Sequence, residues 1–138
     1  MKKELRWDDI QIGEELGPLE YDISEDFINN FANAVDDYDD WYMKSSPFGD
    51  RIAHPTFAAT DYNDLAFLTW GPLLSGLHAK HSIELINPVK AGSKVKVSGK
   101  IVNKYIKRER KYIEMEYQVV DQDGQEIVRH KYTGTVPQ

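Results

Sequence analysis

The 138-residue chain has no cysteine, which removes disulfides, thiolate metal sites and cysteine nucleophiles together. It also lacks any apolar run long enough to cross a bilayer, since a spanning helix needs about 20 predominantly apolar residues. The opening Met1-Lys2-Lys3-Glu4-Leu5-Arg6-Trp7 carries no apolar core of the kind a secretory signal requires. A cytoplasmic location with no membrane partner is therefore expected. Positive charge is short as well: 17 Lys and Arg stand against 23 Asp and Glu, a net charge of −6. Non-specific nucleic-acid binding as the main activity needs an electropositive footprint, and this balance argues against it. What remains is a chain with 41% apolar residues and no low-complexity stretch. That is enough to bury a core, and the length suits a single domain over residues 1–138.

The pattern divides into a helical first half and a strand-rich second half with no linker between them. Residues Gln11 to Asp22 mix Gly13, Gly17 and Pro18 with short apolar stretches, as an irregular entry and an edge strand would. Ser24 is placed to cap a helix, with Glu25 and Asp26 at its positive end and Ile23 set to staple onto Ile28. Phe27, Phe31 and Ala34 then give one apolar face, and the helix should run to about Val35. A second helix is expected from Pro55 to about Thr69, apolar over much of its circumference through Phe57, Ala58, Leu65, Ala66 and Leu68. Strand-type alternation marks Ser82 to Ile86, Lys94 to Tyr105, Lys111 to Val120 and Glu126 to Val136. Asp121-Gln122-Asp123-Gly124 is a turn between the last two. The expected class is α+β, an antiparallel sheet curled around one central helix.

The most informative segment is Ala34-Val35-Asp36-Asp37-Tyr38-Asp39-Asp40-Trp41-Tyr42, followed by Phe48-Gly49-Asp50-Arg51-Ile52-Ala53-His54-Pro55-Thr56-Phe57. Four carboxylates within five positions repel one another, so such a loop needs solvent, a partner or a ligand to offset the charge. The first helix delivers this cluster to its C-terminal end, where the dipole disfavours negative charge.

These segments resemble the MaoC-like acyl dehydratases and (R)-specific enoyl-CoA hydratases, which have the hotdog fold. Ala34 to Tyr42 is similar to the family's Ala-x-x-Asp-x-Asn-Pro-x-His loop, and Phe48 to Pro55 to its Phe-Gly-x-x-Ile-Ala-His-Gly helix entry. Asn87 to Val95 resembles its Pro-Val-x-x-Gly-Asp-x-Val turn. The resemblance implies addition of water across a 2-enoyl thioester carried on CoA or a carrier protein, without a cofactor or a metal. Such chemistry needs a base for water at C3, a proton donor at C2 and N–H donors for the enolate-like oxygen. By position, Asp37 matches the family's catalytic Asp, while Tyr42 stands where its His belongs. Pro55 replaces the Gly whose N–H would polarise the thioester, and proline has no N–H. His54-Pro55-Thr56-Phe57 is similar to the entry of the family's accessory halves, which shape the acyl pocket beside a catalytic half.

Two arrangements follow from the resemblance. In a rewired site, Asp37 acts as base, Tyr42 or His54 as acid, and Thr56 or Phe57 supplies the missing N–H. In a partner-dependent chain, a homodimer or a heterodimer with another MaoC-like chain completes the site. Asp39, Trp41, Pro55, Thr56 and Phe57 are then candidates for substrate binding. Trp41 and Tyr42 also suit packing, and Asp36, Asp39 and Asp40 suit a solvated loop. Lys104, Lys107, Arg108, Arg110 and Lys111 read either as a solvated hairpin that resists edge pairing or, through Arg108 and Arg110, as a contact for CoA phosphates. A hotdog thioesterase is the remaining alternative, with Asp61 or Asp64 activating water. His78 and His81 lack acidic or cysteine companions in sequence, so they read as surface residues rather than metal ligands. Ile101 and Val102 are expected to be exposed apolar strand positions that contribute to dimerisation.

Overall fold

A computed structural model describes residues 5–71 and 76–136. Five strands form one antiparallel sheet: β1 (Glu15–Asp22), β2 (His78–Leu85), β3 (Lys94–Lys107), β4 (Arg110–Asp121) and β5 (Glu126–Thr135). Their spatial order is β1-β3-β4-β5-β2, which leaves β1 and β2 at the edges. Alternation along β3 and β4 sends Val95, Val97, Ile101, Ile113, Met115, Tyr117 and Val119 into the core. Ile101 is thus fully buried, not the exposed contact the sequence suggested. Its register partner Met115 is buried with it, and the exposed apolar residue of that strand is Ile106.

The first helix, α1 (Glu25–Val35), begins as expected, with the Ser24 hydroxyl oxygen accepting from the Phe27 N–H. Its core-facing stripe is Ile28 and Ala32, flanked by half-buried Phe27 and Phe31, whereas Ala34 faces solvent. A single turn, α2 (Asp40–Met43), follows, and the central helix, α3 (Asp61–Trp70), packs on β1 and β3. Leu65 is the key of that packing: it lies against Gly17 of β1 and Gly99 of β3. Closeness of this kind needs strand positions without a side chain.

Helix α3 starts later than the sequence implies. Residues 55–60 form successive tight turns with bonds such as Phe57 N to His54 O (3.0 Å) and Ala59 N to Thr56 O (3.0 Å). The Tyr117 hydroxyl donates to the carbonyls of both Ala58 and Ala59, at 3.0 and 3.1 Å. Those are acceptors an α-helix would spend on its own N–H groups. At the other end Leu68 and Thr69 are exposed, so the sheet covers only one side of the helix.

Candidate functional site

The acidic loop is built from its own carboxylates. Asp36 ends α1 in the left-handed conformation (φ 54°), and the Asp37 N–H returns to the Ala32 carbonyl at 3.1 Å. Short polar side chains tolerate that conformation better than most. Asp37 Oδ1 then accepts from the Asp39 N–H (3.3 Å), and Asp39 Oδ1 caps α2 by accepting from the Trp41 N–H (3.1 Å). Asp40 pairs with Lys44 one turn on, at 3.6 Å. All four carboxylates face solvent, which keeps their mutual repulsion small.

Beneath this loop sits His54, only 3% exposed. Its Nε2–H donates to the Asp37 carbonyl at 2.9 Å, and Nδ1 is buried without a partner. Tyr42 stacks on the imidazole with ring centres 3.9 Å apart, and Phe31 lies against it at 4.9 Å. Partial burial, then the charges of Asp37 and Asp39, push the Tyr42 phenol above its ordinary acidity range. It therefore stays an O–H donor at neutral pH. The structure thus brings Asp37, Tyr42 and His54 together, with the histidine packed beneath the loop as a tether.

Arg51 organises the same corner and carried no signal in the sequence. Its Nε donates to the Tyr42 carbonyl (2.6 Å), one terminal nitrogen donates to Asn29 Oδ1 (2.5 Å), and another lies 3.6 Å from Glu25. One guanidinium so joins α1 and α2 to the segment entering the central helix. On that segment Ala53 N–H donates to Val89 O at 2.9 Å, which holds His54 in register.

Beside the loop opens an apolar cleft of about 220 Å³ whose walls include Trp41, Phe48, Pro55, Phe57, Leu85 and Val128. Three expected contact residues, Trp41, Pro55 and Phe57, meet there. Asp39 serves as a helix cap, and Thr56 is exposed at the helix entry. The Phe57 N–H is already bonded to His54 O, so of the two donors considered to replace Pro55, Thr56 is the free one. Arg108 and Arg110 do not join this site within the chain. They sit at the β3–β4 hairpin, where Arg108 and Glu109 take positive φ. From Arg110 to Val119, which pairs with the cleft residue Val128, the strand covers about 30 Å at roughly 3.3 Å per residue. Lys104, of the same basic run, donates at 2.7 Å to the carbonyls of Trp7 and Ile10 and lies over the Trp7 ring.

Two further groups of titratable residues lie behind the cleft. Asp61, in the first turn of α3, accepts a 2.6 Å hydrogen bond from the Tyr21 hydroxyl among Phe27 and Phe57. Burial pushes its carboxyl up to about 6; the Tyr21 hydrogen bond opposes the rise and the charge of Asp64 adds to it. Asp64 itself is exposed. In the second group His78 is exposed, as the sequence suggests, and the correction concerns His81 alone. His81 is half-buried and bridges His78 to the buried His130. Among the described residues, no group of three His, Cys, Asp or Glu is arranged to hold a metal ion, and no helix is long and apolar enough to cross a membrane.

A family model described as FAS1-like, dehydratase domain region, matches residues 10–130. No curated protein matches the sequence. Among solved structures, the chain is similar to a monoamine oxidase regulatory protein of Archaeoglobus fulgidus (TM-score 0.84, 19% identity, 99% of this chain and 97% of that one covered). It is similar also to an (R)-hydratase of Pseudomonas aeruginosa in its unliganded form (TM-score 0.78, 22% identity, 96% and 85% covered). A third likeness is to the (3R)-hydroxyacyl-ACP dehydratase complex of Mycobacterium tuberculosis (TM-score 0.78, 13% identity, 98% and 99% covered). At these identities the likeness establishes the fold, which is the hotdog arrangement expected from the sequence.

Proposed function

We infer the function from the family to which the chain belongs, that of the FAS1-like dehydratase domain region: it is a subunit of an acyl-thioester hydratase or dehydratase. Its own share of the work is to supply the acyl cleft and to complete a site with a second MaoC-like chain. The observation that carries this reading is the state of His54. It is buried, bonded to the Asp37 carbonyl and covered by Tyr42, so it holds the loop against the cleft rather than meeting substrate. Pro55 supports the same reading, because it offers no N–H to a thioester oxygen at the head of the central helix. The Pro-Thr-Phe entry, similar to that of accessory halves, agrees with it.

The chemistry divides accordingly. Water adds its oxygen to C3 of the enoyl group, its proton leaves to a carboxylate or imidazole, and C2 takes a proton as the thioester oxygen loses its transient charge. This chain contributes the apolar walls Trp41, Phe48 and Phe57, which exclude water from the acyl group, while the partner contributes the base and the oxyanion donors. A homodimer or a heterodimer satisfies the arrangement. Solved structures similar to this chain include a dehydratase complex and a ChsH1–ChsH2 complex of Mycobacterium tuberculosis, which supports a heteromeric reading. A thioester substrate and a place in fatty acid metabolism in the cytoplasm belong to the same proposal.

A second reading rests on Tyr42, whose neutral phenol lies near Asp37. Asp37 would take the water proton, the Tyr42 hydroxyl would orient the water, and the Thr56 N–H would receive the thioester oxygen. Hydration of crotonyl-CoA by the purified chain, alone and with a MaoC-like partner, separates the two. Activity only with the partner, changed less than about tenfold by Asp37→Ala, is expected. Activity of the chain alone that Asp37→Ala lowers by about 10²–10⁴, the usual worth of a general base, establishes the second reading instead.

A further inference from the structure

The two edges of the sheet, β1 and β2, are not equivalent. Strand β1 carries Gly17-Pro18 and a register shift between Leu16 and Leu19, and a proline with a kink blunts an edge against further pairing. Strand β2 holds neither glycine nor proline, its register is regular from Lys80 to Leu85, and Ile83 and Leu85 are exposed on it. An unpaired edge of that kind is a template for another strand. The edge open to a partner is therefore β2.

At the end of the sheet away from the cleft stands the β3–β4 hairpin. Residues 104–111 hold five cations and one anion, a net charge of +4, on a chain whose total is −6. The side chains of Lys107, Arg108 and Arg110 are exposed and make no hydrogen bond or ion pair among the described residues. A two-residue hairpin turn asks for positive φ at both central positions, which favours Asn-Gly. Here Arg108 and Glu109 occupy them, at φ 50° and 65°. The turn thus keeps a cation at its apex where the backbone favours glycine.

Given the acyl-thioester reading of the cleft, on which this step rests, we propose that β2 pairs antiparallel with β2 of a second copy of the chain. The basic hairpin of each copy then holds the phosphates of a CoA thioester whose acyl group lies in the other copy's cleft. Strand direction carries the geometry. Within one chain, Leu85 lies level with Val128 and Val119, and His78 with Gly134 and Ile113. The cleft, with Leu85 and Val128 in its wall, is thus at one end of the sheet, and the Arg108–Glu109 turn lies beyond the other. The twofold axis of an antiparallel pair stands perpendicular to the sheet, so it reverses strand direction and leaves both central helices on one face. It brings the partner's hairpin to the end that holds the first chain's cleft. From β2 to the partner's β4 and β3 is three to four strand spacings, about 14–19 Å at roughly 4.8 Å each.

A gap of that width suits a ligand whose phosphates are tethered far from its acyl end, as the pantetheine arm tethers them in CoA. Guanidinium groups bind phosphate bidentately, and Lys107 adds charge beside them as the register partner of Arg110. Next to the cleft itself the four exposed loop carboxylates repel phosphate, and Arg51 and Lys44 are paired with Glu25 and Asp40.

Butyryl-CoA and butyryl-pantetheine, saturated thioesters with and without the nucleotide phosphates, report binding alone in calorimetry on the purified chain, which should sediment as a dimer. Alanine at both Arg108 and Arg110 should weaken butyryl-CoA by at least about tenfold for each arginine and leave butyryl-pantetheine unchanged. In the unmodified protein, raising NaCl from about 0.1 to 1 M should likewise weaken only butyryl-CoA, which keeps the test valid should the variant misfold. Mixed dimers then assign the hairpin to the partner. The double-arginine variant is combined with Phe48→Glu, which sets a charge at the exposed mouth of the cleft, and dimers holding one copy of each are isolated through two affinity tags. Each parent binds butyryl-CoA weakly, whereas the mixed dimer should regain one site of full affinity. A monomeric chain, equal affinity for the two thioesters, or mixed dimers as weak as their parents overturns this inference and leaves the acyl cleft standing. Binding of neither thioester overturns the reading of the cleft and this inference with it.

Discussion

The loop at Asp36 to Asp40 and the ring cluster behind α3 hold titratable groups under opposite conditions. In the loop, four carboxylates crowd together in sequence but face solvent, and two of them, Asp37 and Asp39, accept from local N–H groups. Behind the helix, Asp61, His81 and His130 are scattered over α3, β2 and β5, yet burial moves the acidity of all three. Density of charge along a sequence therefore predicts little about electrostatic stress. What matters is how much water the fold removes around each group.

Phe57 belongs to both regions, lining the cleft while its ring packs edge-on against Tyr21 and Phe27. Phe57→Ala should give the largest effect, a loss of about 3–5 kcal/mol in urea unfolding. A loss under about 1 kcal/mol would mean that the two regions are not mechanically joined there. Asp61→Asn comes next, and its sign distinguishes the buried carboxylate from the loop. A carboxyl raised from 3.8 to about 6 favours the folded state at low pH and penalises it as pH rises through that window. The variant should therefore gain about 3 kcal/mol above pH 6 and nothing below about pH 3.8. Comparison of the two proteins at each pH cancels the opposing contribution of the histidines. The smallest effects belong to the loop. Asp39→Ala removes the cap of α2 and should cost about 1 kcal/mol, whereas Asp40→Asn, which loses only a surface ion pair, should change thermal unfolding by about 0.5 kcal/mol or less. Equal effects at Asp40 and Asp61 would erase the contrast.

Much of the fold was legible because its signals are local. Alternation from Ile113 to Val119 declared a half-buried strand, Ser24 declared a helix start, and Asp121 to Gly124 declared a turn whose glycine has φ 79°. Long-range contacts decided the rest. The late start of α3 depends on a hydroxyl from Tyr117, 58 and 59 residues away from the carbonyls it reaches. The burial of Ile101 depends on which face of β3 meets the helix, and the histidine chain on a register shift that no residue type announces. At the candidate site, the motif positions Asp37, Tyr42 and His54 were legible and do converge. Their division of labour was not, because a histidine bonded to a backbone carbonyl reads the same in sequence as one facing a substrate. Arg51 escaped for a similar reason: its partners are Asn29, Glu25 and a main-chain oxygen, none adjacent to it in the chain.

The seat of Leu65 constrains how this chain can vary. A methyl group added at Gly17 would come within 2.8 Å of the Leu65 side chain, and one added at Gly99 within 3.1 Å. Neither strand residue can gain a methyl group unless the end of the Leu65 side chain shifts. An alanine at Gly99 is accommodated when the Leu65 methyl gives by a few tenths of an ångström, whereas at Gly17, held at φ 91°, any side chain is strained on backbone grounds as well. Three positions spread across 83 residues of chain thus meet at one contact, and a change at any of them is felt by the other two.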